Sequence, residues 1–207
     1  MFIDDKQKEY MNRVREEYGY RTLDEISELS KTNTIFDICS LLISKTVVLG
    51  GGNIIYPNVV IKGQVIIGDS NVLHSGTNIQ GINGSIDIGS NNEIGENNAC
   101  IKALNGTISI KNNCRIINNA QVLDGCYIGN GCQVLGSVKI ANCYLCDGGS
   151  YKEKNPNERG GVIKGYGIGN KLTVEKGYVI NGSGEMMITM IEKQENYHSN
   201  WKNEEPK

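Results

Sequence analysis

The sequence predicts an all-β solenoid, a parallel β-helix of hexapeptide repeats with a short N-terminal helical cap and one projecting loop. Three observations carry this. Large aliphatic residues recur at every sixth position through the middle of the chain, Gly, Asn or Asp directly follows many of them, and the large apolar residues there are nearly all Ile, Val, Leu and Met. Of 207 residues 26 are Gly and only 3 are Pro, while both Phe (Phe2, Phe36) and the single Trp (Trp201) fall outside that middle stretch. A core made of branched aliphatics with so few large aromatics must be narrow.

A fixed repeat decides architecture before any local propensity does. Ile55, Ile61, Ile67, Leu73 and Ile79 stand six apart, and the phase then slips by three to Ile82, Ile88 and Ile94. A second slip leads into Leu104, Ile110, Ile116, Val122, Ile128, Val134 and Ile140, with Cys146 in the next place, and the beat resumes at Val162, Ile168, Val174, Ile180 and Met186. Neither a helix of about 3.6 residues per turn nor two-residue strand alternation alone gives six. Short strands joined by sharp corners, each turning one large side chain inward, do. Ile67-Gly68-Asp69, Ile88-Gly89, Ile94-Gly95-Glu96, Ile128-Gly129-Asn130 and Ile168-Gly169-Asn170 supply corner residues that tolerate positive φ. The fourth place after each aliphatic should also face inward. It reads Ile108, Cys114, Ala120, Cys126, Cys132, Val138 and Tyr144, mostly compact fillers of a thin interior.

Residues 1–46 are charged and lack the beat, so they form the cap, or alternatively a partner-docking arm; two or three helices are expected. Tyr10, Met11, Val14 and Tyr18 fall near helical spacing, Thr22-Leu23-Asp24-Glu25 has the form of a capping box, and Ile35, Ile38, Leu41 and Leu42 make a further apolar stripe. A cap would cover the apolar side chains and open strand edge of the first coil. The β-helix itself spans 47–192. Its beat fails between Cys146 and Val162, where the polar, Gly-flanked run 147–161 is either a functional loop or a solvated insertion. The tail, 193–207, carries Tyr197, His198 and Trp201 and is either disordered or a strip along the prism.

Charge and composition exclude several classes. With 21 basic and 23 acidic residues the chain has no surplus for a phosphate backbone or an anionic membrane surface, so no nucleic acid and no membrane partner are expected. No apolar run approaches the roughly 20 residues needed to cross a bilayer, and the acidic start Met1-Phe2-Ile3-Asp4-Asp5 is unlike a secretory signal; the expected location is cytoplasmic. The seven Cys then read as reduced thiols. Without a CxxC, and with only His74 and His198, no metal is expected.

Tandem hexads of the form aliphatic-Gly-x-x-small-x resemble the left-handed parallel β-helix of the hexapeptide acyltransferase superfamily, in which three hexads make one triangular coil of about 18 residues. Within it, Asn53-Ile54-Ile55-Tyr56-Pro57-Asn58-Val59-Val60-Ile61-Lys62-Gly63 followed by Val65-Ile66-Ile67-Gly68-Asp69 is similar to the start of the C-terminal acetyltransferase domain of N-acetylglucosamine-1-phosphate uridyltransferase, also called UDP-N-acetylglucosamine pyrophosphorylase. The resemblance spans residues 40–185. It implies a trimer that moves an acetyl or other acyl group from acyl-CoA to an amine or hydroxyl of a sugar or nucleotide-sugar acceptor, with a His as general base and backbone N–H groups on the oxyanion. It carries the catalytic role to His74, the one His in the coils, substrate contacts to Tyr151 and Arg159 in or beside the loop, and CoA pyrophosphate contacts to Lys164, Lys171 and Lys176. The family's Gly-His-x-x-Tyr-aliphatic-Gly-Asp segment is absent here, and so is the uridyltransferase half. A second expectation therefore stands beside the first: a non-catalytic β-helix serving assembly or binding. A γ-class carbonic anhydrase site needs three His and is excluded.

Overall fold

The computed structural model describes residues 4–198, and the hexads wind into a parallel β-solenoid. Three inward columns fill it. Ile55, Leu73, Ile94, Ile116, Val134, Ile163 and Ile180 pair in succession along the first. Ile61, Ile79, Ile101, Val122 and Ile140 form the second. The third is Ile67, Ile88, Ile110, Ile128, Leu145 and Val174. Every one of these side chains is at most 1% exposed, so the core is the stack itself. Each contributes about 1.5–3 kcal/mol of burial.

Five inward expectations are corrected. Ile82 and Leu104 are 48% and 42% exposed, because Ile82–Gly84 and Leu104–Gly106 are three-residue insertions that swell one corner in two successive coils. The phase slip seen in the sequence is the insertion, and Ile101 takes the column place expected for Leu104. Asp124 Oδ1 steadies the second insertion by accepting from the N–H of Leu104 (2.8 Å) and Gly106 (3.1 Å). Ile168 points outward because Gly169 holds the register place opposite Ile140, and the Leu172 side chain fills the room Gly169 leaves. One coil is a residue short, so Leu145 rather than Cys146 stacks on Ile128, and Tyr144 turns outward onto Tyr127 with ring centroids 4.5 Å apart. The small fillers Cys114, Ala120, Cys126, Cys132 and Val138 are buried as expected.

Asn shares the corners with Gly. Asn58, Asn91, Asn113 and Asn142 hold φ between +52° and +61°. Gly68 serves close packing instead, since a Cβ there would lie 2.9 Å from the Gly89 carbonyl oxygen. A buried ladder runs along another corner. Asn33 Oδ1 accepts the Asn53 N–H (2.9 Å), Asn53 Oδ1 the Asn71 N–H (2.8 Å), Asn71 Oδ1 the Asn92 N–H (2.9 Å), and Asn92 Oδ1 the Cys114 N–H (2.8 Å).

The cap is two helices, α1 (Asp5–Glu17) and α2 (Leu23–Leu29), each begun by a complete capping box, from Asp4 and from Thr22 with Glu25. α1 is fixed less by its apolar residues, since Tyr10 and Tyr18 are 60% and 65% exposed, than by buried Arg15. Its guanidinium donates to the carbonyls of Arg21, Ile38, Cys39 and Leu41 at 2.7–3.2 Å. The third apolar stripe forms strands, Thr34–Ile35 and Leu42–Ile43, which pair with the next coil; coiling thus begins within the segment assigned to the cap. Ile191–Lys193 pairs antiparallel with Tyr178–Ile180, which turns the chain back along the prism there; of the tail, residues 199–207 lie outside the described residues. Phe2 and Trp201 lie outside the described residues. Among the described residues no helix is long and apolar enough to cross a membrane.

Candidate functional site

One outer face of the prism gathers the reactive side chains. Along it the residue just after each inward aliphatic of the first column points out, and Phe36, Tyr56 and His74 stack in consecutive coils, with centroids 4.7 Å and then 5.3 Å apart and planes within 23° and 14°. The residue just before each aliphatic forms a parallel row that includes Glu93 and Arg115, one coil apart. The row of His74 breaks at Gly95, whose φ is +93° and where a Cβ would fall 1.8 Å from Thr77 Oγ1.

Glu93 joins these residues. Its Oε1 is 3.5 Å from His74 Nε2, and its Oε2 is 3.0 Å from Arg115 Nε. Arg115 also reaches Glu96 Oε2 at 2.7 Å. The fourth member arrives from the projecting loop: Tyr151 donates its hydroxyl to Glu93 Oε2 at 3.1 Å and its N–H to the Asn113 carbonyl at 3.3 Å. Burial, then the Glu93 charge, pushes the Tyr151 hydroxyl above the ordinary tyrosine range, so it stays a donor. His74 Nε2 is shielded from solvent with no hydrogen bond of its own, which leaves Glu93 as the acceptor it faces. A His ring backed by a carboxylate and clamped by an aromatic stack can take a proton through its other nitrogen. In unliganded proteins such bonds are often long.

Two cavities flank Tyr151. One, of about 470 Å³, is lined by Ser70, Asn91, Glu93, Arg115, Tyr151 and Lys152. The other, of about 400 Å³, has Arg115, Tyr151, Arg159, Lys164, Tyr197 and His198 in its wall. A larger one of about 690 Å³ runs along the outer side of α1 and contains neither His nor Cys.

The structure brings His74 and Tyr151 together through Glu93, and it sets Arg159 and Lys164 in one cavity. It does not bring the other two lysines there: Lys176 pairs with Glu158, and Lys171 sits exposed at a corner with φ +54°. Glu93 and Arg115 escaped the sequence reading. Their signal was two opposite charges in the same outward place of adjacent coils, legible only once the insertion at Leu104–Gly106 is recognised. Cys114 contributes no nucleophile here, since burial pushes its thiol up to about 12. No cluster of three or more His, Cys, Asp or Glu suited to a metal occurs among the described residues.

No protein-family model matches the chain, and no curated protein does. Solved structures do. LpxA from Acinetobacter baumannii is 19% identical over 73% of this chain and 69% of its own, with a TM-score of 0.37. UDP-N-acetylglucosamine O-acyltransferase (LpxA) from Moraxella catarrhalis is 17% identical over 84% and 79%, with a TM-score of 0.29. PerB from Caulobacter crescentus, solved with CoA and GDP-perosamine, is 15% identical over 66% and 58%, with a TM-score of 0.25. At these values the matches bear on no chemistry of this chain.

Proposed function

We propose that this protein is an acyltransferase that moves an acyl group, acetyl in the simplest case, from CoA to an amine or hydroxyl of an amino-sugar or nucleotide-sugar acceptor. The observation that carries the reading is the His74–Glu93 pair, held by the Tyr56 stack on one side and by Arg115 and Tyr151 on the other. In the reaction the acceptor nitrogen or oxygen attacks the thioester carbonyl as His74 takes its proton. The CoA sulfur leaves, and the imidazolium returns the proton to it. Glu93 holds the tautomer with hydrogen on Nε2 and stabilises the imidazolium while it lasts. The hexad resemblance supports the same class, including a homotrimer and a cytoplasmic setting, and the acetyltransferase domain of N-acetylglucosamine-1-phosphate uridyltransferase is the particular relative it suggests. Lys171 and Lys176 then contact CoA only if a neighbouring subunit completes the site.

One observation favours the second reading, a binding or assembly module: the family's Gly-His-x-x-Tyr-aliphatic-Gly-Asp segment is missing. Release of CoA from acetyl-CoA in the presence of amino sugars and nucleotide amino sugars separates the two. Turnover that falls about 100-fold or more in His74→Ala, and about tenfold or more with an altered pH profile in Glu93→Gln, is expected for the transferase. Turnover that is absent, or indifferent to both changes, favours the module.

A further inference from the structure

Two thiols stand together in a row of the core that is otherwise aliphatic. Register between successive coils places Val65, Ile86, Ile108, Cys126, Cys143 and Leu172 one above the next, all turned inward and none more than 6% exposed. Cys126 and Cys143 are neighbours in it, because Tyr127 and Tyr144, the next residue of each coil, pair in parallel and the Tyr127 N–H donates to the Cys143 carbonyl at 2.9 Å. Filling the core does not require sulfur there, since Val or Ile takes the same place in the three preceding coils. Neighbouring strands lie about 4.7–4.9 Å apart, inside the roughly 4.4–6.8 Å that separates the Cα atoms of a disulfide.

The two thiols already interact. Cys126 donates its S–H to Cys143, and that hydrogen bond outweighs the opposing effect of burial and holds Cys143 down to about 7. The same bond, and then burial, pushes Cys126 up. One sulfur is thus disposed to act as the nucleophile and the other to keep its proton until it resolves the first. A second stacked pair differs. Cys114 and Cys132 also occupy adjacent coils, but their thiols are directed elsewhere, Cys114 Sγ donating to the Gly129 carbonyl at 3.0 Å and Cys132 Sγ to the Cys146 carbonyl at 3.1 Å. Burial pushes both above the ordinary thiol range. The core is also thinner at Cys143. Its sulfur is 3.3 Å from the Ala141 carbonyl and 3.6 Å from that of Gly169, which stands opposite Ile140 where the second column has no aliphatic.

We propose that Cys126 and Cys143 form a reversible disulfide, a redox modification site inside the prism, with hydrogen peroxide as the oxidant. The Cys143 thiolate attacks one peroxide oxygen and the O–O bond breaks. Cys143 becomes a sulfenic acid, and the departing hydroxide takes up the proton Cys143 had given up and leaves as water. The Cys126 sulfur then attacks the Cys143 sulfur; its proton leaves with the displaced hydroxide as a second water, and the S–S bond forms. Two thiols lose two electrons and one peroxide becomes two waters. The bond cross-links two successive coils just before the loop 147–161 leaves the second of them, and it stands whether or not His74 transfers an acyl group.

The test exposes the full chain, first reduced, to millimolar hydrogen peroxide. Expected are an intact mass lower by two hydrogens, a digest in which the Cys126 and Cys143 peptides are joined, and return of the starting mass with dithiothreitol. Cys126→Val and Cys143→Val, which restore the aliphatic character of the row, should each abolish the cross-link, whereas Cys114→Ala should leave it in place. The parent digest decides without the variants. Joining of any other pair, a cross-link that survives Cys126→Val, oxygen gained at Cys143 of the parent without a cross-link, or an unchanged mass would overturn the proposal.

Discussion

At the residue scale the fold depends on polar side chains as much as on the aliphatic stack. Asn71 is wholly buried, accepts from the Asn92 N–H, and donates through Nδ2 to Asn53 Oδ1 (3.1 Å) and the Gly89 carbonyl (3.0 Å). Asn71→Ala strands several of these groups away from water, and a loss of about 1–3 kcal/mol is expected in urea unfolding. An effect below half a kcal/mol would mean the ladder is incidental. The same logic ranks the site residues. His74 is ordered from both sides, by a ring and by a carboxylate, whereas exposed Lys171 has no such support, and only the former arrangement pre-organises a reacting group.

At the element scale the loop 147–161 is separable from the coil that carries it. Its ends adjoin: a Cβ on Gly148 would sit 2.2 Å from the Gly160 nitrogen, so the chain leaves and re-enters the prism at one point. Joining Gly148 to Gly160 and deleting residues 149–159 should leave the far-ultraviolet β signal intact and shift the melting temperature by only a few degrees, because loop-closure costs change slowly with length. The deletion removes Tyr151 and Arg159, so CoA release should disappear. A shortened chain that retained it would show that the loop is a bystander. The cap differs in kind. Arg15 ties α1 to the carbonyls of residues 38–41, which belong to the first coil rather than to a linker.

At the scale of the whole molecule the prism is a one-dimensional stack, in which each coil is stabilised by the one below and the one above. Position in the stack, not residue type, therefore sets the cost of a change. Ile116→Ala, at 0% exposure within the first column, should lose about 2–5 kcal/mol, whereas Ile168→Ala, outward at 57%, should stay within about 0.5 kcal/mol. Comparable losses at both positions would contradict the register, although hexad counting alone treats the two isoleucines as equivalents.

The sequence by itself determined the architecture, because one branched aliphatic per short strand is a local pattern that each coil repeats. It also marked the break at 147–161 and the capping box at Thr22, and it offered His74 and Tyr151 as candidates. It did not determine register across the insertions. Ile82, Leu104 and Ile168 keep the beat but face water, since three added residues at a corner, or a Gly in the inward place, turn the following side chain without changing its type. The site was hidden for the same reason. Glu93 lies 19 residues from His74 and 22 from Arg115, and only pairing between successive coils makes them neighbours. Tyr151 is further still, brought to Glu93 by the fold of a loop that no periodicity describes. Side-chain contacts between coils depend on coil length, and coil length was fixed only by the tertiary structure.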